Sequence, residues 1–518
     1  EDLPKEFDLT VIGTGLTESI VAAAASRIGK SVLHLDVNEY YGSYWASFNL
    51  KNLQKLKDEC GEQKEILETN GIQLWRNTNQ VQNVQISWHV PERAEEEADP
   101  VETWTQERIL KDSHKFNIDL APKLLFARGS MVELLISSNI CRYAEFRSVD
   151  RITTLYEDAI KTVPCSRSDV FNTKEVSMVE KRILMKMLET CMQCEEGNEE
   201  FEYHRESTFL QYLEGKRLPQ KLIHYLLDAI SMSNVHTSFE EGIQRVRRFI
   251  DSLGRYGNTP FLFPMYGCGE LPQCFCRLCA VFGGIYCLRR PIEHITMDNG
   301  QQGDGKRLAM QIGDQVIHTD NIVFGSGTIS ITGDYQNRSC LAGLPEMIMP
   351  RKCGNMSRGI FLVDSPLGGA TENTGGGGVT LLKLPPAPGV TADKQGAFVI
   401  QLSHHSGTCP PGLHVIHMTC DADIDPRLDL QPFVDQILTT EADVEAKPRI
   451  LYSLYFTIPQ CFKCDNYEKL PEGVHLACGP YLELDYDTSI SQGRELFLQI
   501  YPNEEFLPRC PEPEEIVL

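Results

Sequence analysis

FDLTVIGTGLTESIVAAAASRIGKSVLHLD, residues 7–36, decides the fold. Phe7 to Ile12 is a short apolar run of strand type, and Gly13-Thr14-Gly15 is a tight turn. Leu16 to Ile28 is an Ala-rich helix, and Ser31 to Asp36 is a second apolar strand. Strand, glycine turn, helix and strand form a βαβ unit, which opens a doubly wound, Rossmann-type α/β domain.

In such a unit, GxGxxG lets a diphosphate sit on the helix N-terminus, and its third glycine permits close helix–strand packing. Here the glycines are Gly13 and Gly15, and the third position is Glu18. A carboxylate in the first helical turn is favoured by the helix dipole by about 0.3–1 kcal/mol, and it repels a bound diphosphate. Asp36 keeps the place of the ribose-binding acid. Two readings stay open on these residues: a flavoenzyme with a tolerant variant motif, or a flavoenzyme fold that has lost its cofactor.

Further along, residues 60 to 110 carry acidic clusters such as RAEEEADP at 93–100, read as a solvated insertion. From 116 to 238 the pattern is helical. Ser177 and Glu180 form a capping-box pattern, and Pro219 stands where a helix opens. Strand-like runs such as NIVFGS, GAFVIQL and GLHVIHMTC follow, and GGATENTGGGG at 368–378 reads as a connector. The expected organisation is 1–115 for the first part of an α/β domain with mixed sheets, 116–238 for an inserted all-helical domain, and 239–518 for the second part of the α/β domain.

Composition bounds the function. The chain has 518 residues, 42% of them hydrophobic, with 49 Lys+Arg against 72 Asp+Glu, a formal charge of −23. This charge disfavours nucleic acid and lasting adhesion to anionic membrane, and favours a basic protein or peptide tail. The first residues, EDLPKEF, lack a signal-peptide pattern; no long apolar run suggests a membrane span; and EEIVL at the end is not a prenylation box. Eighteen cysteines without a secretory signal read as reduced cytosolic thiols. The CxxC pairs Cys191/Cys194 and Cys461/Cys464 are too far apart in the chain to read as a zinc site, and Cys274, Cys276 and Cys279 read as core thiols. No P-loop, GxSxG or HExxH is present, and His404-His405 stands without supporting catalytic groups.

The opening IGTGLTES at 12–19, followed by LHLD at 33–36 and Tyr40-Tyr41-Gly42, resembles the Rab GDP-dissociation inhibitor and Rab escort protein superfamily. RYGNTPFLFPMYGCGELPQCFCRLCAVFGGIYCLR at 255–289 and FNIDLAPKLLFARGSMVELLISSNICRYAEF at 116–146 resemble its later blocks, in the expected order. Related flavin oxidases carry Gly-Gly-Arg after the acidic residue; Gly42-Ser43-Tyr44 stands there with no arginine, so the resemblance implies a lost FAD site and no cofactor. Ser43 also departs from the family's YYGG. The segment VPCSRSDVF at 163–171, the cysteine-rich CFCRLCAVFGGIYCLR and the ending PNEEFLPRCPEPEEIVL resemble the escort branch.

The resemblance implies a non-catalytic escort that binds new Rab GTPases, preferring the GDP-bound form. It implies presentation of these Rabs to the αβ heterodimer of Rab geranylgeranyltransferase, shielding of the geranylgeranyl tail, and delivery to membranes by transient contact from the cytosol. Matching motif positions puts Tyr41, Glu270 and Arg277 on a Rab-binding platform, with Ile285 and Cys287 as further contacts. Glu270 and Arg277 are also open to a second reading, an internal ion pair. Phe209 matches a transferase-docking aromatic, or is an ordinary core aromatic, and Arg217 is a second docking candidate. The rival functions are a dissociation inhibitor, which recycles prenylated Rab without docking the transferase, and an FAD-dependent oxidoreductase.

Overall fold

The computed structural model describes residues 3–61, 66–69, 72–75, 81–93, 104–165, 176–292, 294–298, 307–325, 329–330, 354–369, 378–386, 396–441, 447–460 and 472–509. The acidic run at 94–100, most of the glycine-rich 368–378 segment, and Cys461 and Cys464 lie outside these residues.

The βαβ unit forms as read: strand Glu6–Ile12, helix Leu16–Arg27 and strand Val32–Leu35. It sits at the centre of a seven-stranded mixed sheet. In order, the strands are Ile285–Cys287, Val32–Leu35, Glu6–Ile12, Gln315–Phe324, Arg307–Ile312 and His294–Asp298, with Val474–Leu476 also paired to Gln315–Phe324. Glu6–Ile12 pairs in parallel with both neighbours, whereas the last three strands of that order form an antiparallel meander. Every residue from Leu16 to Ser26 is buried, because helix Leu16–Arg27 is packed by Glu270–Val281 and Asp487–Ile500. The run Ala22–Ala25 suits that position, since side chains ending at Cβ let helices pack closely on more than one side.

A second sheet has eight strands, in the order Ala159–Thr162, Arg151–Tyr156, Thr380–Leu384, Ala397–Ser403, His414–Asp421, Gly354–Val363, Ile450–Gln460 and Gln82–Trp88. One face packs on helix Pro426–Ile437 around Phe361, Met418 and Leu430. The other face joins the main core.

The helical block is narrower than the sequence pattern suggests. Its helices run from Met178–Gln193 to Phe239–Ser252. The stretch from 118 to 162 instead contains short strands, helix Ser130–Ser137 and two members of the eight-stranded sheet. Arg151–Tyr156 (RITTLY) carries three β-branched residues and pairs in parallel with Thr380–Leu384, a partner more than two hundred residues away. The Ser177 capping box forms in full, and Pro219 directly precedes helix Gln220–His224.

Candidate functional site

The two sequence blocks with the strongest motifs meet at one edge of the seven-stranded sheet. Tyr41 follows strand Val32–Leu35, and its loop is held by groups inherited from the dinucleotide motif. Asp36 accepts hydrogen bonds from the Thr14 amide at 2.9 Å, the Thr14 hydroxyl at 2.6 Å and the Asn38 amide at 2.8 Å. The Thr14 hydroxyl in turn accepts from the Gly42 amide at 3.0 Å. Gly42 has φ of 105°, a left-handed conformation that a glycine adopts without strain. Ser43, where the resembling family has glycine, also adopts a positive φ of 47°.

Helix Glu270–Val281 supplies the opposite wall. Glu270, Gln273 and Arg277 fall on one helical stripe, and Gln273, Arg277 and Ala280 are exposed while the residues between them are buried. With Tyr41, Tyr143 and Tyr286, these residues line an open cleft of about 320 Å³. The Arg277 guanidinium lies 4.6 Å from the centroid of the Tyr143 ring, and Tyr41 and Tyr286 meet edge to face at 6.2 Å. Glu270 is half-buried, and burial pushes its carboxyl up. Among the described residues no ion pair joins Glu270 to Arg277, so the internal-pair reading is not realised.

Ile285 and Cys287 sit on the edge strand of the same sheet, but not in this cleft. Side chains alternate along a strand. Tyr286 therefore faces His34 and the cleft, whereas Ile285 and Cys287 pack, half-buried, against the cluster containing Phe7, Leu33 and Leu35 on the other face. The sequence reading missed Tyr286 and Tyr143. Strand periodicity gives a signal for the first. Nothing near Tyr143 in sequence announces its stacking on Arg277.

The dinucleotide motif does not fit FAD. Glu18 is buried, and its carboxylate fills the space above the glycine turn. A Cβ built on Gly15 would lie 2.6 Å from Glu18 Oε2, and one on Gly325 would overlap the same carboxylate. The space beside the backbone where a diphosphate would approach is therefore filled by the Glu18 side chain. Asp36, turned onto Thr14 and Asn38, is committed to holding the Tyr41 loop.

Phe209 requires a correction as a surface contact. Its ring is fully buried, beside Tyr212 and against Gly242, where any Cβ would collide with it. Packing against a helix residue without a side chain fixes it as a core aromatic. Arg217 is exposed at the turn after helix Phe209–Gly215, with φ of 54°. Replacing Phe209 by leucine is expected to cost about 1–2 kcal/mol of stability in urea unfolding. It should leave partner functions intact wherever the variant is folded. Full stability with a lost partner function would return the ring to the interface.

Cys191, Cys194, Cys274, Cys276 and Cys279 are buried free thiols, and among the described residues no cluster of metal-ligand type forms. The rings of His404 and His405 lie tilted against each other in a short turn, centroids 3.9 Å apart. No helix among the described residues is long and apolar enough to cross a membrane.

Comparison with known proteins gives the following likenesses. The family model described as GDP dissociation inhibitor matches residues 3–71 and 100–334, and that described as RAE1/2 domain I, C-terminal region, matches 356–482. Rab proteins geranylgeranyltransferase component A of Drosophila melanogaster is 44% identical, covering 100% of this chain and 93% of that protein. Component A 1 of Homo sapiens is 32% identical over 100% of this chain and 94% of its own length. Among solved structures, the Rab GDI of Plasmodium falciparum superposes with a TM-score of 0.64 at 17% identity, covering 97% of this chain and 98% of that one, a likeness of fold.

Proposed function

Because the chain belongs to the GDP dissociation inhibitor family, on the branch of Rab geranylgeranyltransferase component A, we propose that it is a Rab escort protein. It binds newly made Rab GTPases, presents them to the catalytic αβ heterodimer and shields the geranylgeranyl tail afterwards. It is an accessory component with no catalytic role of its own. The observation that carries this reading is the exposed cleft in which Tyr41, Glu270 and Arg277, drawn from blocks more than two hundred residues apart, line one surface.

Tyrosine and arginine are favoured anchors at protein interfaces, and the cleft presents both on rigid elements. Tyr41, Glu270 and Arg277 contact the GTPase, and Ile285 and Cys287, on the other face of the edge strand, support the platform from behind. Arg217 contributes to transferase docking, with Phe209 supporting that surface from the core. At about 0.8 kcal/mol per buried methylene, a geranylgeranyl chain left in water is costly, so the carrier must hold it until a membrane receives it. The protein works from the cytosol and touches membranes transiently.

The platform is proposed to prefer GDP-bound Rab. Fluorescence titration of the full chain with one Rab loaded with GDP, and then with a non-hydrolysable GTP analogue, tests this. The expected result is tighter binding of the GDP form by at least about tenfold, or about 1.4 kcal/mol. Equal affinities would remove nucleotide-state selection from the account.

A further inference from the structure

Three pieces of chain converge below the eight-stranded sheet: residues 121–123, the strand face bearing Arg358, His417 and Thr419, and the segment 481–484. They enclose a small cavity of about 20 Å³, enough for one water-sized species. Its polar lining is rich in donors.

Arg358 is fully buried and directs Nη2 at His417 Nδ1, 3.2 Å away. A guanidinium can only donate, so Nδ1 accepts and the imidazole proton sits on Nε2. Burial and the neighbouring Arg358 hold His417 well below the usual imidazole range, which keeps the ring neutral. Its Nε2–H is buried and has no partner among the described residues. Lys123, also buried, donates to the carbonyls of Tyr481, at 2.6 Å, and Glu483, leaving a third proton. The Thr419 hydroxyl accepts from Arg358, so its own proton is available.

Several acceptors nearby are already engaged. The carbonyls of Leu120 and Met418 take Arg358 at 2.8 and 2.7 Å. The Glu483 carboxylate is drawn to Thr488, accepting from its amide at 3.2 Å and its hydroxyl at 2.5 Å, and burial pushes it up to about 7. Asp119 accepts from Ser47 and the Cys268 amide and favours the charge on Arg358, while Glu483 and Asp485 favour the charge on Lys123, which burial opposes. A water in the cavity would have to give its own protons to carbonyls that already accept Arg358 or Lys123. A small anion accepts from all of the donors.

We propose that this cavity is a binding site for one small monovalent anion of chloride size, tying the 481–484 segment to the sheet through Lys123, Arg358 and His417. Crystals of the full chain soaked in sodium bromide are expected to give an anomalous bromine peak in the cavity. In thermal unfolding, sodium chloride should raise Tm over sodium gluconate at equal ionic strength. Above half-saturation the rise should continue at about 1–2 °C per tenfold chloride. Lys123→Met and His417→Phe should each abolish the peak and the chloride dependence. An empty anomalous map, or identical Tm in the two salts, overturns the proposal. These wild-type measurements decide it even if neither variant folds.

Discussion

Replacing Arg277 by alanine is expected to weaken binding of an unprenylated, GDP-loaded Rab by about 2–4 kcal/mol, roughly 30- to 1000-fold in Kd. The expected cost in stability is within about 0.5 kcal/mol. Arg277 is exposed on its helix, so little of the core depends on it. Its guanidinium is nonetheless ordered before any partner arrives, by the Tyr143 ring 4.6 Å away. An arginine already held in place loses less conformational freedom on binding than a free one. Lysine should rescue only in part, because a compact ammonium neither stacks nor offers a planar fork of donors. Isothermal titration beside urea unfolding separates the two effects. An unchanged Kd would remove Arg277 from the interface, whereas equal losses in binding and stability would make its role structural.

The second large effect concerns stability. Arg358→Met should lower the unfolding free energy by about 3–5 kcal/mol. Arg358 has no exposed surface, and its Nε and Nη1 satisfy the Leu120 and Met418 carbonyls. Methionine fills much of the volume but strands those acceptors, and it removes the cation that favours charge on Asp119. Burial already pushes the Asp119 carboxyl up to about 6. Losing Arg358 pushes it higher, so the variant should recover part of its deficit on moving from pH 7 to pH 5. The sign follows because a carboxyl whose folded pKa exceeds its unfolded value binds protons on folding. Urea unfolding at both pH values checks this. A variant within 1 kcal/mol of wild type at pH 7 would contradict the network.

What could be read from sequence, and what could not, follows the range of the interactions. The βαβ unit is legible because its strand, turn and helix signals are local and agree with one another. The Ser177 cap is legible for the same reason. The helical block is narrower than its sequence pattern because the apolar spacing from residue 116 onward looks helical, although the chain there alternates short strands with one two-turn helix. The strand Arg151–Tyr156 is fixed by a distant parallel partner, which periodicity does not reveal. At the site, Glu270 and Arg277 come from matching motif positions, and their seven-residue spacing agrees with the one helical stripe on which they lie. Phe209 was ambiguous because burial depends on Gly242, a residue on another helix. Tyr143 and the Arg358–His417–Lys123 cluster were silent, being assembled entirely from tertiary contacts.

The most direct test of the escort role is transfer of labelled geranylgeranyl to an unprenylated Rab by the catalytic αβ enzyme, with and without this chain. The account predicts transfer that depends strongly on the chain and falls with Arg277→Ala. Tight Rab binding without any stimulation of transfer would contradict it and favour a dissociation inhibitor that recycles Rabs already prenylated.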